Sequence, residues 1–217
     1  MKKNIGKETL LAKKDWGVEG SETGNDENVL VSQIMNKAQE RILDIYKPVN
    51  KIAFVSLCTS TRPYSKGRKW KKFKECFKDV DLIINSNGGV IPICYDDCYP
   101  YMTYDAHGEK KFDDLYVIFS TRALIRFFIL KKYDYILFNF RPTLRNVKAG
   151  KLAGKYLKSK GHIKGYSIIP DLTLYSKIKK DGFRSGKMFP DLDPLVLEAM
   201  RNKIDYFNKQ IEGEKRK

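Results

Sequence analysis

The chain reads as an α/β protein: a three-layer sandwich around a mostly parallel, Rossmann-like central sheet of about four strands. Three observations predict this. Short apolar runs rich in Ile, Val, Phe and Tyr alternate with longer segments whose apolar residues recur at helical spacing. Strands separated by helices imply parallel pairing, with helices covering both faces of the sheet. At 217 residues, the chain can bury one core without disulfides or metals.

Taken in order, residues 1–27 include Gly17-Val-Glu-Gly-Ser-Glu-Thr-Gly-Asn-Asp-Glu27, too polar to bury much surface, and predict a flexible arm. Residues 28–217 form a single α/β domain. Asn28 offers an N-cap, and Val31, Ile34, Met35, Ala38, Ile42 and Ile45 follow at helical spacing until Pro48. Ile52–Leu57 is a first strand. The helix over 68–77 sets Trp70, Phe73 and Phe77 on one face and basic residues on the others. A second strand covers 81–85 and ends in Asn85-Ser-Asn-Gly-Gly89. A largely apolar helix over 113–131 calls for burial on more than one side. A third strand at 135–140, a helix over 144–158 closed by Gly161, and a fourth strand at 166–169 follow. Asp193 caps a final helix whose first residue is Pro194, where a missing N–H costs nothing. Its inner stripe is Val196, Met200, Ile204, Phe207 and Ile211.

Charge narrows the function classes. Forty-two Lys and Arg against 26 Asp and Glu give a formal charge of +16, spread along the chain. Such an excess suits a polyanion, because neutralising phosphates releases counterions; a lysine-rich soluble surface is the plainer alternative. The four cysteines, Cys58, Cys76, Cys94 and Cys98, form neither a CxxC pair nor a secreted framework. No signal peptide or membrane-length apolar run is visible. These features predict a cytoplasmic protein with reduced thiols and no membrane partner.

The loops leaving the strands carry the chemistry: 58–67, 85–89, 141–143 and 170–171. In a parallel sheet they share one edge, where open α/β sheets bind ligands. They offer the Cys58 thiol, the Arg62-Pro63-Tyr64-Ser65 turn, Asn87 and Gly89, and the Arg141 guanidinium. Each also has a structural reading: a small buried cysteine, a Pro-initiated turn, or glycines needing positive φ. Residues 90–108 hold four tyrosines, three aspartates, two prolines and a histidine. Aromatic faces can stack on bases, and a carboxylate can accept from a guanine-like edge. Tyr104 and Asp105 are the candidates there; a packed loop over the end of the core is the alternative. Lys66, Arg68, Lys69, Lys71 and Lys72 are candidate contacts to a nucleic-acid backbone. Cys94-x-x-x-Cys98 with His107 lacks a fourth zinc ligand, so no metal is expected. With no Walker motif or GxGxxG, no cofactor is implied either.

Two segments together resemble the domain that follows the catalytic barrel region in archaeosine synthase and its tRNA-guanine transglycosylase relatives. The first of that family's patterns is a Cys, then Lys-Pro-Tyr, Ser, a further Ser, a His and an aromatic. Cys58, Arg62-Pro63-Tyr64, Ser65, Gly67, Trp70 and Phe73 fall at those spacings, with Arg for Lys, Gly for the second Ser and Trp for the His. The second pattern is matched by Gly89-Val-Ile-Pro92, Tyr99-Pro100 and Tyr104-Asp105. The resemblance covers about residues 50–170. It implies a stand-alone, divergent member with a shape related to uracil-DNA glycosylases and a pocket for a 7-deazaguanine-type base. Cys58, Pro63, Tyr64 and Ser65 would line that pocket, with Asp105 nearby.

The resemblance further implies an enzyme acting on tRNA, in which an amine donor adds to the nitrile of the base. A Cys58 thiolate is the natural nucleophile for such a carbon. Two other functions fit the same residues. One is a DNA glycosylase-like enzyme in which an Asp supports the charge on the departing sugar. The other is a non-catalytic nucleic-acid-binding subunit of a separate transglycosylase.

Overall fold

The computed structural model describes residues 23–25, 33–98, 101, 105–107, 113–142, 144–181 and 190–215. Its strands are β1 (Thr23–Asn25), β2 (Ile52–Leu57), β3 (Asp81–Ser86), β4 (Gly89–Pro92), β5 (Asp105–His107), β6 (Tyr135–Asn139) and β7 (Gly165–Ile168). Its α-helices are α1 (Gln33–Ile45), α2 (Arg68–Cys76), α3 (Asp113–Leu130), α4 (Arg145–Ser159), α5 (Leu172–Lys180) and α6 (Pro194–Lys215). The main sheet runs β4-β3-β2-β6-β7, with β2, β3, β6 and β7 parallel and β4 antiparallel at one edge. This is the three-layer α/β sandwich that the alternation of runs predicts.

Side chains alternate across the sheet, and each face has its own helices. On one face Phe54 meets Phe73 and Phe77 of the α2 region at ring distances of 4.9 and 5.0 Å. On the same face Tyr135 stacks on Phe207 of α6 at 4.5 Å. On the other face lie α1, α3 and α4. Tyr46, just past α1, stacks on Phe127 of α3 at 5.9 Å. Gly150 and Gly154 let α4 approach the rings of Phe140 and Tyr166, since a Cβ on Gly154 would stand 2.6 Å from Tyr166. Helix α4 ends as the sequence predicts: Gly161 has φ +71°, and the His162 N–H donates to the Leu157 carbonyl at 2.9 Å. Asp193 accepts from the Leu195 N–H at 3.0 Å and opens α6.

Two findings differ from the sequence reading. The main sheet has five strands rather than about four, because Gly89–Pro92, read as a loop, returns along β3. The turn is Asn87-Gly88, and Gly89 at φ +117° allows the reversal. Gln39 of α1 completes this edge. Its side-chain amide accepts from the Val90 N–H at 2.9 Å and donates to the Val90 carbonyl at 3.2 Å. Within the stretch assigned to the arm, residues 23–25 form β1, which pairs in parallel with β5.

At the opposite end of the strands, buried Asp81 anchors the entry to β2. It accepts from the Tyr46 and Tyr133 hydroxyls at 2.9 Å each, and from the backbone N–H groups of Val49 and Asn50. No described helix is long and apolar enough to cross a membrane.

Candidate functional site

The chain leaves β2 toward β3 on one side of the sheet and comes back as β6 on the other side of β2. The strand order therefore reverses between β2 and β6, and α/β sheets open a ligand crevice at such a point. A cavity of about 250 Å³ lies there. Cys58 to Thr61 enter it from the end of β2, Gly67 to Lys69 from the start of α2, and Arg141 and Leu144 from the end of β6. Asp191 closes it from the turn before α6. The volume suits a small compact group rather than a dinucleotide cofactor.

The charged core of the site is Lys69, Asp191 and Arg141. Lys69 Nζ lies 3.5 Å from Asp191 Oδ2, and both side chains are only 4% exposed. Arg141 Nε donates to the other carboxylate oxygen of Asp191 at 3.4 Å. Burial pushes Lys69 below its ordinary lysine value; Asp191 and Cys58 oppose that shift, and the Arg141 charge reinforces it. A lysine so placed can hold or release a proton beside the thiol, whereas an ordinary surface lysine stays charged.

The 58–67 segment is held by contacts around it. The Cys58 N–H donates to the Asn85 carbonyl at 3.2 Å. The Arg62-Pro63 peptide is cis. The Arg62 guanidinium donates to the Thr59 carbonyl and lies 4.3 Å from the Tyr64 ring centre. Tyr64 is fully buried, with its hydroxyl 3.5 Å from Ser86 Oγ. The Ser65 N–H donates to the buried carboxylate of Asp96, which joins the 58–67 turn to the segment that follows β4. Burial raises the Asp96 pKa, the Ser65 bond opposing it.

The structure places the sequence candidates unevenly. Cys58, Arg68 and Arg141 line the cavity. Pro63 and Tyr64 are buried behind it, so they shape the turn and present no face to a ligand there. Arg62 and Ser65 are half-buried and support the same turn. Asn87 and Gly89 line a different, smaller cavity between α1 and α3; their strand end is the same edge, but the hairpin turns them away. Lys66, Lys71 and Lys72 are exposed, with Lys72 paired to Glu75 at 3.6 Å. Lys69 is corrected outright: it is buried on Asp191, because the first turn of α2 sits over the strand ends rather than out in solvent. Tyr104 and the Asp105 side chain lie outside the described residues. Among the described residues no cluster of three His, Cys, Asp or Glu could hold a metal.

Trp70 and Gly67 have structural roles in this turn. Trp70 is fully buried with its ring edge-on to Phe73 at 5.7 Å, so that position faces the core and not the cavity. A Cβ on Gly67 would stand 3.1 Å from the Tyr64 carbonyl oxygen and 3.4 Å from Thr59 Oγ1, so a serine there would crowd the turn. Asp191 carries no site signal in the sequence, where Pro190-Asp-Leu-Asp-Pro194 reads only as the start of a helix.

Fold and cavity thus define an α/β domain with a cavity at the sheet's switch point that is lined by charged side chains. Residues 35–159 match the family model described as a domain of unknown function (DUF5591), and the chain belongs to that family. It is similar to the crystal structure of AF0587, a protein of unknown function, at 18% identity over 69% of this chain and 51% of that one, with a TM-score of 0.46. This chain therefore spans about half the length of that protein. No curated protein matches it.

Proposed function

We propose that the protein is an enzyme that modifies a nucleobase, most simply a tRNA base of the 7-deazaguanine type, by archaeosine-synthase-like transfer of an amine to its nitrile. The observation that carries this reading is the sharing of one switch-point cavity by the Cys58 thiol and the buried Lys69 amine. The spacing of the Cys58–Phe73 and Gly89–Asp105 segments supports it, as does the hydrogen bond from Ser65 to Asp96 that joins them.

The chemistry follows from the groups present. The thiol adds across the C≡N bond: a carbon–sulfur bond forms, and the thiol proton ends on nitrogen, giving a thioimidate. An incoming amine then bonds to the same carbon, the carbon–sulfur bond breaks, and the proton shed by the amine returns to sulfur. The product is an amidine and the enzyme is regenerated. Lys69 can relay these protons, its lowered pKa bringing it nearer the working range of a general acid–base. Exposed Lys66, Arg68, Lys71 and Lys72 would hold the backbone of the nucleic acid.

The test is mass spectrometry of tRNA carrying a nitrile-substituted base after incubation with the protein and candidate amines. A gain in base mass that Cys58→Ser abolishes is expected. Undiminished gain in Cys58→Ser overturns thiol chemistry, and base release from duplex DNA instead would identify a glycosylase-like enzyme. Binding without either product would identify a non-catalytic subunit, the role that docks to a partner transglycosylase.

A further inference from the structure

Three basic residues, Arg68, Lys69 and Arg141, and one acid, Asp191, line the cavity. Lys69 and Arg141 both already bond to that carboxylate, 3.5 and 3.4 Å away. Arg68 adds a further positive charge at the exposed mouth of the cavity, and cations gathered in one cleft give a field that favours an anion.

The backbone points the same way. Helix α2 starts at the cavity with Gly67 as N-cap, and no side chain caps it. Helix α4 starts there too, behind Leu144, also without a side-chain cap. Helix α5 contrasts with both: Asp171 accepts from the Leu174 N–H and caps it. The first N–H groups of a helix have no intrahelical partner and carry partial positive charge. Thr59 lines the same wall. A tetrahedral oxyanion can take donors from several such directions at once.

We propose that the cavity contains a phosphate subsite, formed by Arg68, Arg141 and the first turn of α2, directly beside the Cys58 thiol. Identifying this phosphate as the target nucleotide's own rests on the function proposed above. On that basis the substrate is recognised as a nucleotide unit, base and phosphate together, and a free base or nucleoside binds poorly. The phosphate lies at the exposed, Arg68 side of the cavity, and the base reaches inward toward Cys58.

Protection of Cys58 from iodoacetamide reads this without any turnover. At constant ionic strength, inorganic phosphate should slow alkylation where chloride does not, and a nucleoside monophosphate should do so at lower concentration than its nucleoside. Arg68→Gln, at an exposed position that leaves the Lys69–Asp191 pair alone, should weaken phosphate protection about tenfold, and Arg141→Gln at least as much. Equal protection by chloride and phosphate, equal potency of nucleoside and monophosphate, or unchanged protection in Arg68→Gln would each overturn the subsite. The two readings fail separately. Protection by phosphate with no modified tRNA removes the proposed function alone, whereas modified tRNA without phosphate protection removes the subsite alone.

Discussion

Lys69 and Asp191, 122 residues apart in the chain, meet at 3.5 Å inside the fold, on the wall of the cavity that also holds Cys58. Removing one partner of a buried pair leaves the other charged and unsatisfied. Asp191→Ala should therefore cost about 3–5 kcal/mol, read as a lower urea midpoint. The pair also sets a pH dependence. Burial lowers the Lys69 pKa below 10.5 in the folded protein, so between the folded and unfolded values the unfolded chain binds more protons. Stability then rises with pH through that window and falls on acidification until the folded value is passed. Lys69→Met should flatten this rise, and an unchanged slope in urea titrations at successive pH values would count against the burial argument.

Tyr46 and Tyr133 act in the opposite direction. Burial first, then the neighbouring charge of Asp81 for Tyr46 and the coupling to Tyr46 for Tyr133, raise both hydroxyls above the usual phenol value of 10.0. The native state keeps protons that the unfolded chain gives up above that value, so this contribution is complete below 10.0 and is lost as pH rises. Tyr46→Phe should shallow the alkaline loss of stability, followed by circular dichroism. Asp81→Ala should cost about 3 kcal/mol or more at neutral pH, since it strands several buried or half-buried donors at once.

Gly89 and Gln39 form a third test. A Cβ at Gly89 would stand 2.4 Å from the Gln39 side chain, and its φ of +117° suits no other residue type. Gly89→Ala should cost about 1–3 kcal/mol and release Val90, so hydrogen exchange at the Val90 amide should accelerate. Retained protection of that amide would show that Gln39 does not hold the edge.

Gly154→Ala separates packing from helix propensity. In an open helix the change gains about 1 kcal/mol. Here the new methyl would stand 2.6 Å from the Tyr166 ring, and overpacking typically costs about 1–3 kcal/mol. Net destabilisation is expected, with a midpoint below that of Gly161→Ala corrected for its positive φ. A stabilised Gly154→Ala would mean that Tyr166 moves aside freely.

Most of the layer architecture was legible because burial leaves a periodic mark. The apolar runs at β2, β3 and β6, the Trp70-Phe73-Phe77 stripe and the Val196-to-Phe207 stripe are local patterns with one structural meaning. Strand β4 is hard to read from sequence although Asn87-Gly88 between two apolar runs is a strong hairpin signal, because the polar residues after it give the segment the composition of a loop. The site was legible only in part. Cys58 and Arg141 follow from strand ends, which any alternating sequence exposes. Lys69 and Asp191 do not, because their meaning comes from an approach between distant segments. In a helix pattern Lys69 is one more cation beside an aromatic stripe, and only the position of the α2 start over the strand ends buries it.

The walls of the cavity come from the end of β2, the start of α2, the end of β6 and the turn before α6. No contiguous piece of chain contains the site, so it exists only when the whole sandwich is assembled. Anything that binds there binds the native state and not the unfolded one. At a hundred times its Kd such a ligand adds about 2.7 kcal/mol to stability, or roughly 5–11 °C in melting temperature for a domain of this size. The molecule thus reports its own ligands through its melting curve, and a library of nucleotides, modified bases and amines can be ranked without knowing the reaction in advance.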